Sequence, residues 1–317
     1  MNEIEITSGR MNPHIDPHLT IWGWEIPLYL FIGGLVAGLL FFSTLFYLRG
    51  KQKEFSTVVM KAPLLAGPLI VLGLLALFLD LSHKLYVWRF YTDLRLESPM
   101  SWGSWTLMVI TPLSFLWSMI WIEEIWPGFK WPHIWLKNIV DFSKRYIRHI
   151  AWTLLIGAVV LGMYTGILLS AFNARPFWNS AIMGPLFLVS GLSTGAAMIL
   201  ILSKSETEKK LFSKIDVTLI GLELFLITHL FMGFLASTEV HIQAAGLFLG
   251  GQYTSVFWVF VVGLGLILPM TIEALELKGL HISPKIPAML VLIGGLILRF
   301  IIVDAGQTSR WLYKFMQ

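Results

Sequence analysis

Apolar residues along this chain gather into long unbroken runs rather than alternating with polar ones. Eight such runs stand out, at roughly 21–48, 62–82, 103–122, 150–171, 183–203, 215–237, 256–275 and 287–304. A helix crossing the hydrocarbon core needs about 20 mostly apolar residues, so each run predicts one transmembrane helix. Within lipid a helix pairs its own backbone N–H and C=O groups, which an isolated strand cannot do. The pattern therefore predicts an all-α membrane protein with eight transmembrane helices in two four-helix bundles. Residues 21–171 form the first bundle and 183–304 the second, with an outer N-terminal segment at 1–20 and an outer tail at 305–317.

Composition agrees with that pattern. The chain is 56% apolar and 13% charged, with mean hydropathy +0.74, against about 45–50% and about 25% in ordinary soluble domains. Too little polar surface is present to cover a water-soluble globule, which excludes a cytosolic enzyme, a disordered protein and a nucleic-acid binder. The absence of cysteine excludes disulfides, thiolate catalysis and any Cys-ligated zinc or iron–sulfur cluster in this chain. The opening residues are polar, include Pro13 and Pro17, and lack the short apolar core of a cleavable signal, so the first helix is expected to remain as an anchor.

Charge then orients the spans. Of the 23 Lys and Arg residues, 15 fall in the links after helices one, three, five and seven. Positive charge collects on the cytoplasmic side. This places the chain in the cytoplasmic membrane, multi-pass, with both termini outside. Helices one and five also resemble each other, with Gly34 and Gly38 in the first matching Gly191 and Gly195 in the fifth. A parallel four-plus-four repeat would explain that match, and residues this small let helix backbones approach closely.

Few charges lie at membrane depth, and those that do are functional candidates. Glu223 lies near the midplane of helix six, and His229 follows on the same helix, rotated by about 120°. Arg299 lies just below the outer end of helix eight, which Asp304 closes. Glu223, His229, Arg299 and Asp304 would make a polar proton path in the second bundle. Helix two is expected to run through Lys84, giving Asp80, His83 and Lys84 a shared face; a plain Asp80–Lys84 pair would also satisfy that spacing. Tyr164 sits about 10 Å inside the outer end of helix four. Of the eight His residues only His229 is deep in a span, so a haem with two His ligands is not expected.

Four stretches carry a family resemblance. Asp80-Leu81-Ser82-His83-Lys84 leads through Tyr86, Trp88, Phe90 and Tyr91 to Ser98-Pro99-Met100-Ser101-Trp102-Gly103. Tyr164-Thr165-Gly166 precedes Asn173-Ala174-Arg175-Pro176-Phe177-Trp178. Helix eight reads Gly294-Gly295-Leu296-Ile297-Leu298-Arg299 and ends Ala305-Gly306-Gln307, while helix one holds Trp22, Trp24, Tyr29 and Gly33-Gly34. In this order, from Trp22 to Gln307, they resemble the NrfD-like family, which includes the membrane subunit of polysulfide reductase. The usual Gly-Arg-Pro after the Asp-Leu of helix two is replaced here by Ser82-His83-Lys84.

The resemblance implies a membrane anchor that binds quinone or quinol (menaquinone or ubiquinone) and carries no haem or iron–sulfur cluster of its own. A ferredoxin-like iron–sulfur subunit would dock on the outer face, with a molybdopterin, cytochrome or hydrogenase-type catalytic subunit beyond it. The N-terminal segment and the 83–102 and 172–182 links are candidate docking surfaces. Tyr164 takes the place of the family's quinone-contacting tyrosine, with Tyr29, His83, Asp80, Glu25 and Arg175 around it. A secondary transporter with a midplane ionisable site is the alternative.

Overall fold

The computed structural model describes residues 22–93, 95–280 and 283–309. Its eight membrane-length helices are α1 (Glu25–Leu48), α2 (Thr57–Asp80), α3 (Pro99–Ile125), α4 (Ile147–Ser170), α5 (Met183–Leu202), α6 (Glu206–Leu235), α7 (Val256–Leu277) and α8 (Lys285–Thr308). No strand occurs among the described residues. The all-helical membrane architecture is the predicted one. Among the described residues three short α-helices, Arg89–Thr92, Ile134–Arg145 and Glu239–Gly246, and a 3₁₀ turn, Lys84–Tyr86, lie in the links.

Several boundaries differ from the apolar runs, each for a physical reason. Helix α6 begins at Glu206 rather than near 215, because Glu206 and Glu208 in its first turn complement the positive end of the helix dipole. Helix α2 begins earlier, with a π turn over Thr57–Lys61 and a 3₁₀ turn over Ala62–Leu65. Pro63 has no N–H to give, so the ladder changes register around it. The buried Glu208 carboxylate accepts from the Thr57 N–H at 2.9 Å and from the Ser203 hydroxyl, pinning the start of α2 to the α5–α6 link. Helix α2 also stops at Asp80, where Leu81 turns to extended backbone. The expected shared face of Asp80, His83 and Lys84 is therefore absent, since it needed four more helical residues.

Helices α1 and α5 stand at the centre, with 78% and 67% of their apolar windows buried. Helix α1 packs against α2, α4, α5 and α8, and α5 packs against α1, α4, α6 and α8. Around them α2 meets α3, α3 meets α4, α6 meets α7 and α7 meets α8. Between α1 and α5 the backbones touch. A Cβ on Gly38 would lie 2.4 Å from the Gly191 carbonyl oxygen and 2.8 Å from the Gly195 Cα. Polar side chains fasten the neighbouring helices: Trp117 Nε1 donates to Ser43 Oγ at 2.8 Å, and Ser43 donates to the Val59 carbonyl at 2.9 Å.

The two ends of the described chain meet on one face, called here the terminal face. The Trp22 N–H donates to Gln307 Oε1 at 2.9 Å, and Gln307 Nε2 donates back to the Trp22 carbonyl at 3.0 Å. Trp22 also stacks on Trp178, with ring centroids 5.1 Å apart.

Gly38→Ala is expected to cost about 1–3 kcal/mol through overpacking, read as a lower thermal midpoint in detergent. Gly221→Ala, whose Cβ would meet nothing within 4 Å, should be neutral or mildly stabilising. Equal midpoints for the two variants would remove the close seam.

Candidate functional site

A cavity of about 470 Å³ opens near the terminal face between α1, α2, α3 and α4. That size suits a small-molecule site, as does a mostly apolar wall with a few polar atoms. The apolar wall includes Leu30, Leu74, Phe78, Leu107 and Leu168, and the polar groups come from Tyr29, Asp80, Tyr91, Ser104 and Tyr164. Tyr29 and Tyr164 are buried, and their hydroxyls face each other closely enough to interact.

Local sequence explains why these side chains converge. Tyr164 lies between Gly162 and Gly166, and a Cβ on Gly166 would fall 2.1 Å from the Met183 carbonyl oxygen. Helix α4 is thus pressed onto α5. Gly103 leaves the space that the Tyr164 ring fills, since a Cβ there would lie 1.9 Å from Tyr164 Cζ. Ser104 Oγ donates to the Phe90 carbonyl at 2.6 Å, which holds the 89–92 helix against α3 and brings Tyr91 to the wall. Burial raises the Tyr91 hydroxyl above the usual tyrosine range, so it stays protonated and able to donate.

The other residues expected around this site are placed differently. Asp80 is half-buried on the cavity wall at the end of α2, and Glu25, in the first turn of α1, lies close enough for the two carboxylates to interact. His83 lines a separate, more open hollow with Tyr86, Arg89, Asp93 and Arg95. The two spaces share Leu81, Phe90 and Met100. Arg175 is buried behind the site, where its guanidinium donates to the Gln307 and Ser309 carbonyls at 3.1 and 3.2 Å. It holds the end of α8, whose Gln307 in turn holds the cavity residue Trp22.

A second polar group is sealed between α1, α5, α6 and α8. Arg299 is 1% exposed and Glu223 is 2% exposed, so each is an ionisable group held away from water. The guanidinium donates to Ser190 Oγ at 2.7 Å and to the Phe187 carbonyl at 3.2 Å, and it stacks on the Phe187 ring at 4.4 Å. Glu223 faces both Arg299 and Ser190, while its Oε1 has no partner within the protein. Gly34 of α1 gives the guanidinium room, since a Cβ there would sit 3.4 Å from it.

His229 and Asp304 are not part of this group. His229 is on the exposed side of α6, bonded to the Phe225 carbonyl at 2.8 Å. Asp304 is exposed and accepts from the Tyr253 hydroxyl at 2.7 Å. Tyr253 lies outside the spans; burial pushes its hydroxyl up to about 12, so it remains a donor throughout the physiological range.

Sequence reasoning missed Asp216 and Glu273, both fully buried. Asp216 accepts from Ser193 at 2.6 Å and faces both Glu223 and Glu273. The signal was available, because Asp216 and Glu223 are seven residues apart and so share one face of a helix. A helix six that starts near 215, as the apolar run predicts, makes Asp216 a helix end instead. Among the described residues no group of His, Asp and Glu gathers as metal ligands would.

Comparison with known proteins places this geometry. The family described as "Polysulphide reductase, NrfD" matches residues 12–309. The chain is 31% identical over 314 residues to "Protein NrfD" of Escherichia coli, covering 91% of this chain and 96% of that protein. It is 32% identical over 308 residues to one of the chains of polysulfide reductase from Wolinella succinogenes, covering 91% and 95%. Similarity extends to one of the subunits of selenate reductase from Mesobacillus selenatarsenatis, 23% identical over 341 residues with 93% and 79% covered. A match across nearly the whole chain, with relatives aligned end to end, makes this protein a member of the NrfD family.

Proposed function

We propose that this chain is the quinone-reactive membrane subunit of a respiratory oxidoreductase complex, with its partners on the terminal face. The membrane-subunit role is supported by relatives that are named as components of polysulfide and selenate reductases. The observation that carries the quinone assignment is the apolar cavity with Tyr29, Tyr91, Tyr164 and Asp80 on its wall. A bound quinone or quinol would exchange two electrons and two protons per turnover. Tyr164, positioned by Gly103 and Tyr29, donates a hydrogen bond at one carbonyl, and Tyr91 stands as a second donor. The leucine and phenylalanine wall holds the ring and excludes water. Asp80 and Glu25 at the mouth relay protons, with His83 in the adjoining hollow.

Electrons would pass to or from a ferredoxin-like iron–sulfur subunit on the terminal face, which we assign as the outer face, and onward to a catalytic subunit. Arg175 fixes the 172–182 link as part of that docking surface. Glu223 and Arg299, extended by Asp216 and Glu273, form the buried part of a proton path; His229 and Asp304 stand to its sides.

In the purified complex, Tyr164→Phe is expected to lower quinol-linked kcat/KM about tenfold, the loss of one well-placed hydrogen bond, with an unchanged thermal midpoint. Gly103→Ala should lower it similarly by displacing the same ring, although no polar atom is removed. Wild-type turnover in both variants would sink the assignment of this cavity. Glu223→Gln is expected to slow proton uptake by reconstituted vesicles about tenfold, and unchanged uptake would remove the path. Solute uptake by the chain reconstituted alone would favour the transporter.

A further inference from the structure

On the face opposite the chain ends, the link between α3 and α4 folds as the helix Ile134–Arg145. Its residues sort around the axis. Leu136, Val140 and Ser143 turn toward the protein, Asp141 and Arg145 fall on the far side, and Lys144 turns in to the Glu123 carboxylate of α3. Trp135, Ile139, Phe142 and Tyr146, spaced at helical intervals, form an exposed apolar stripe that includes Trp135 at 56% and Phe142 at 62% exposure. Because α3 and α4 leave the bilayer at either end of this link, the helix is held at the membrane boundary. Its stripe continues into the exposed Trp152 and Ile156 of α4. An amphipathic helix of this kind lies in the interface with its apolar side in the acyl region.

Beside it, between α1, α3 and α4, are two adjoining hollows of about 290 and 250 Å³ that share Tyr47 and Gln52. Lys53 and Lys144 line one and Arg148 lines the other, above Met60, Ile120 and Trp121. Glu124 is the acid on the wall, and Glu123, just outside it, holds Lys144 at 2.7 Å. Gln52 Oε1 is buried there without a hydrogen-bond partner in the protein. Cations around an apolar floor, open at the membrane boundary, suit a lipid phosphate. The lone buried acceptor calls for something more, a hydroxyl on the ligand.

We infer that this hollow binds the headgroup of an anionic, hydroxyl-bearing glycerophospholipid of the phosphatidylglycerol class. Its phosphate lies among Lys53, Lys144 and Arg148, a headgroup hydroxyl donates to Gln52, and its acyl chains leave past Ile147 into the bilayer in which the interfacial helix is set. The assignment is independent of the quinone cavity, which lies at the other face.

The test is native mass spectrometry of the protein, with its partners, released from nanodiscs of equal parts phosphatidylcholine and phosphatidylglycerol. About tenfold preferential retention of phosphatidylglycerol is expected, lost in the Lys53→Gln/Arg148→Gln double variant and kept in Lys53→Arg/Arg148→Lys. Thermal midpoints in pure phosphatidylcholine serve as the folding control. In parallel nanodiscs, phosphatidic acid, which has the phosphate without the headgroup hydroxyls, should be retained less well by the wild type and equally with phosphatidylglycerol by Gln52→Leu. Equal retention of phosphatidylcholine, or a preference that survives the double variant, would overturn the site. Stabilisation by inorganic phosphate equal to that by phosphatidylglycerol would also overturn it, by showing a free-anion site instead.

Discussion

Much of this molecule depends on the backbone contact between α1 and α5. Lipid tails are as apolar as leucine, so burying apolar side chains gives little drive for helices to associate within a bilayer. Close packing must supply it, and here Gly34 and Gly38 meet Gly191 and Gly195 with no side chain between them. Helix α1 is thereby drawn into the middle and enclosed by α2, α4, α5 and α8. One helix then serves two places: Tyr29 stands on the wall of the cavity, and the bare backbone at Gly34 admits the Arg299 guanidinium.

Those two places are built on different physical terms. The cavity is lined mainly by carbon, with hydroxyls held by neighbouring packing, and it is suited to a flat, weakly polar guest. The group around Arg299 has no such space. Its guanidinium has exchanged water for Ser190, a backbone carbonyl and the face of Phe187, and the Glu223 carboxyl faces it. Removing an ionisable pair from water costs several kcal/mol per ion unless geometry repays it. Part of that cost is met by the bonds to Ser190 and Phe187, while Arg299 Nε and Glu223 Oε1 stay buried without a partner in the protein.

The spans were legible in the sequence because run length and hydropathy are properties of single segments. So were the buried depth of Glu223 and Arg299 and the place of Tyr164 inside α4. What failed to show was anything set by amphipathicity or by a neighbour. The helix Ile134–Arg145 is too short and too mixed to resemble a span, and the first turns of α6 are charged because they project past the apolar core. Where α2 stops at Asp80 depends on a change of backbone at Leu81 that no composition announces. Glu273 becomes a companion of Asp216 only once α7 packs on α6.

The clasp between Trp22 and Gln307 has a consequence for how the protein is made. Trp22 is on the cavity wall, yet its backbone is held by a residue 285 positions later. Translation delivers residues in order and domains generally fold as they emerge, so this wall cannot close until the final span is in place. The cavity wall thus matures only with the final span. A ribosome-bound or truncated chain would offer an unfinished surface at the face where both ends meet.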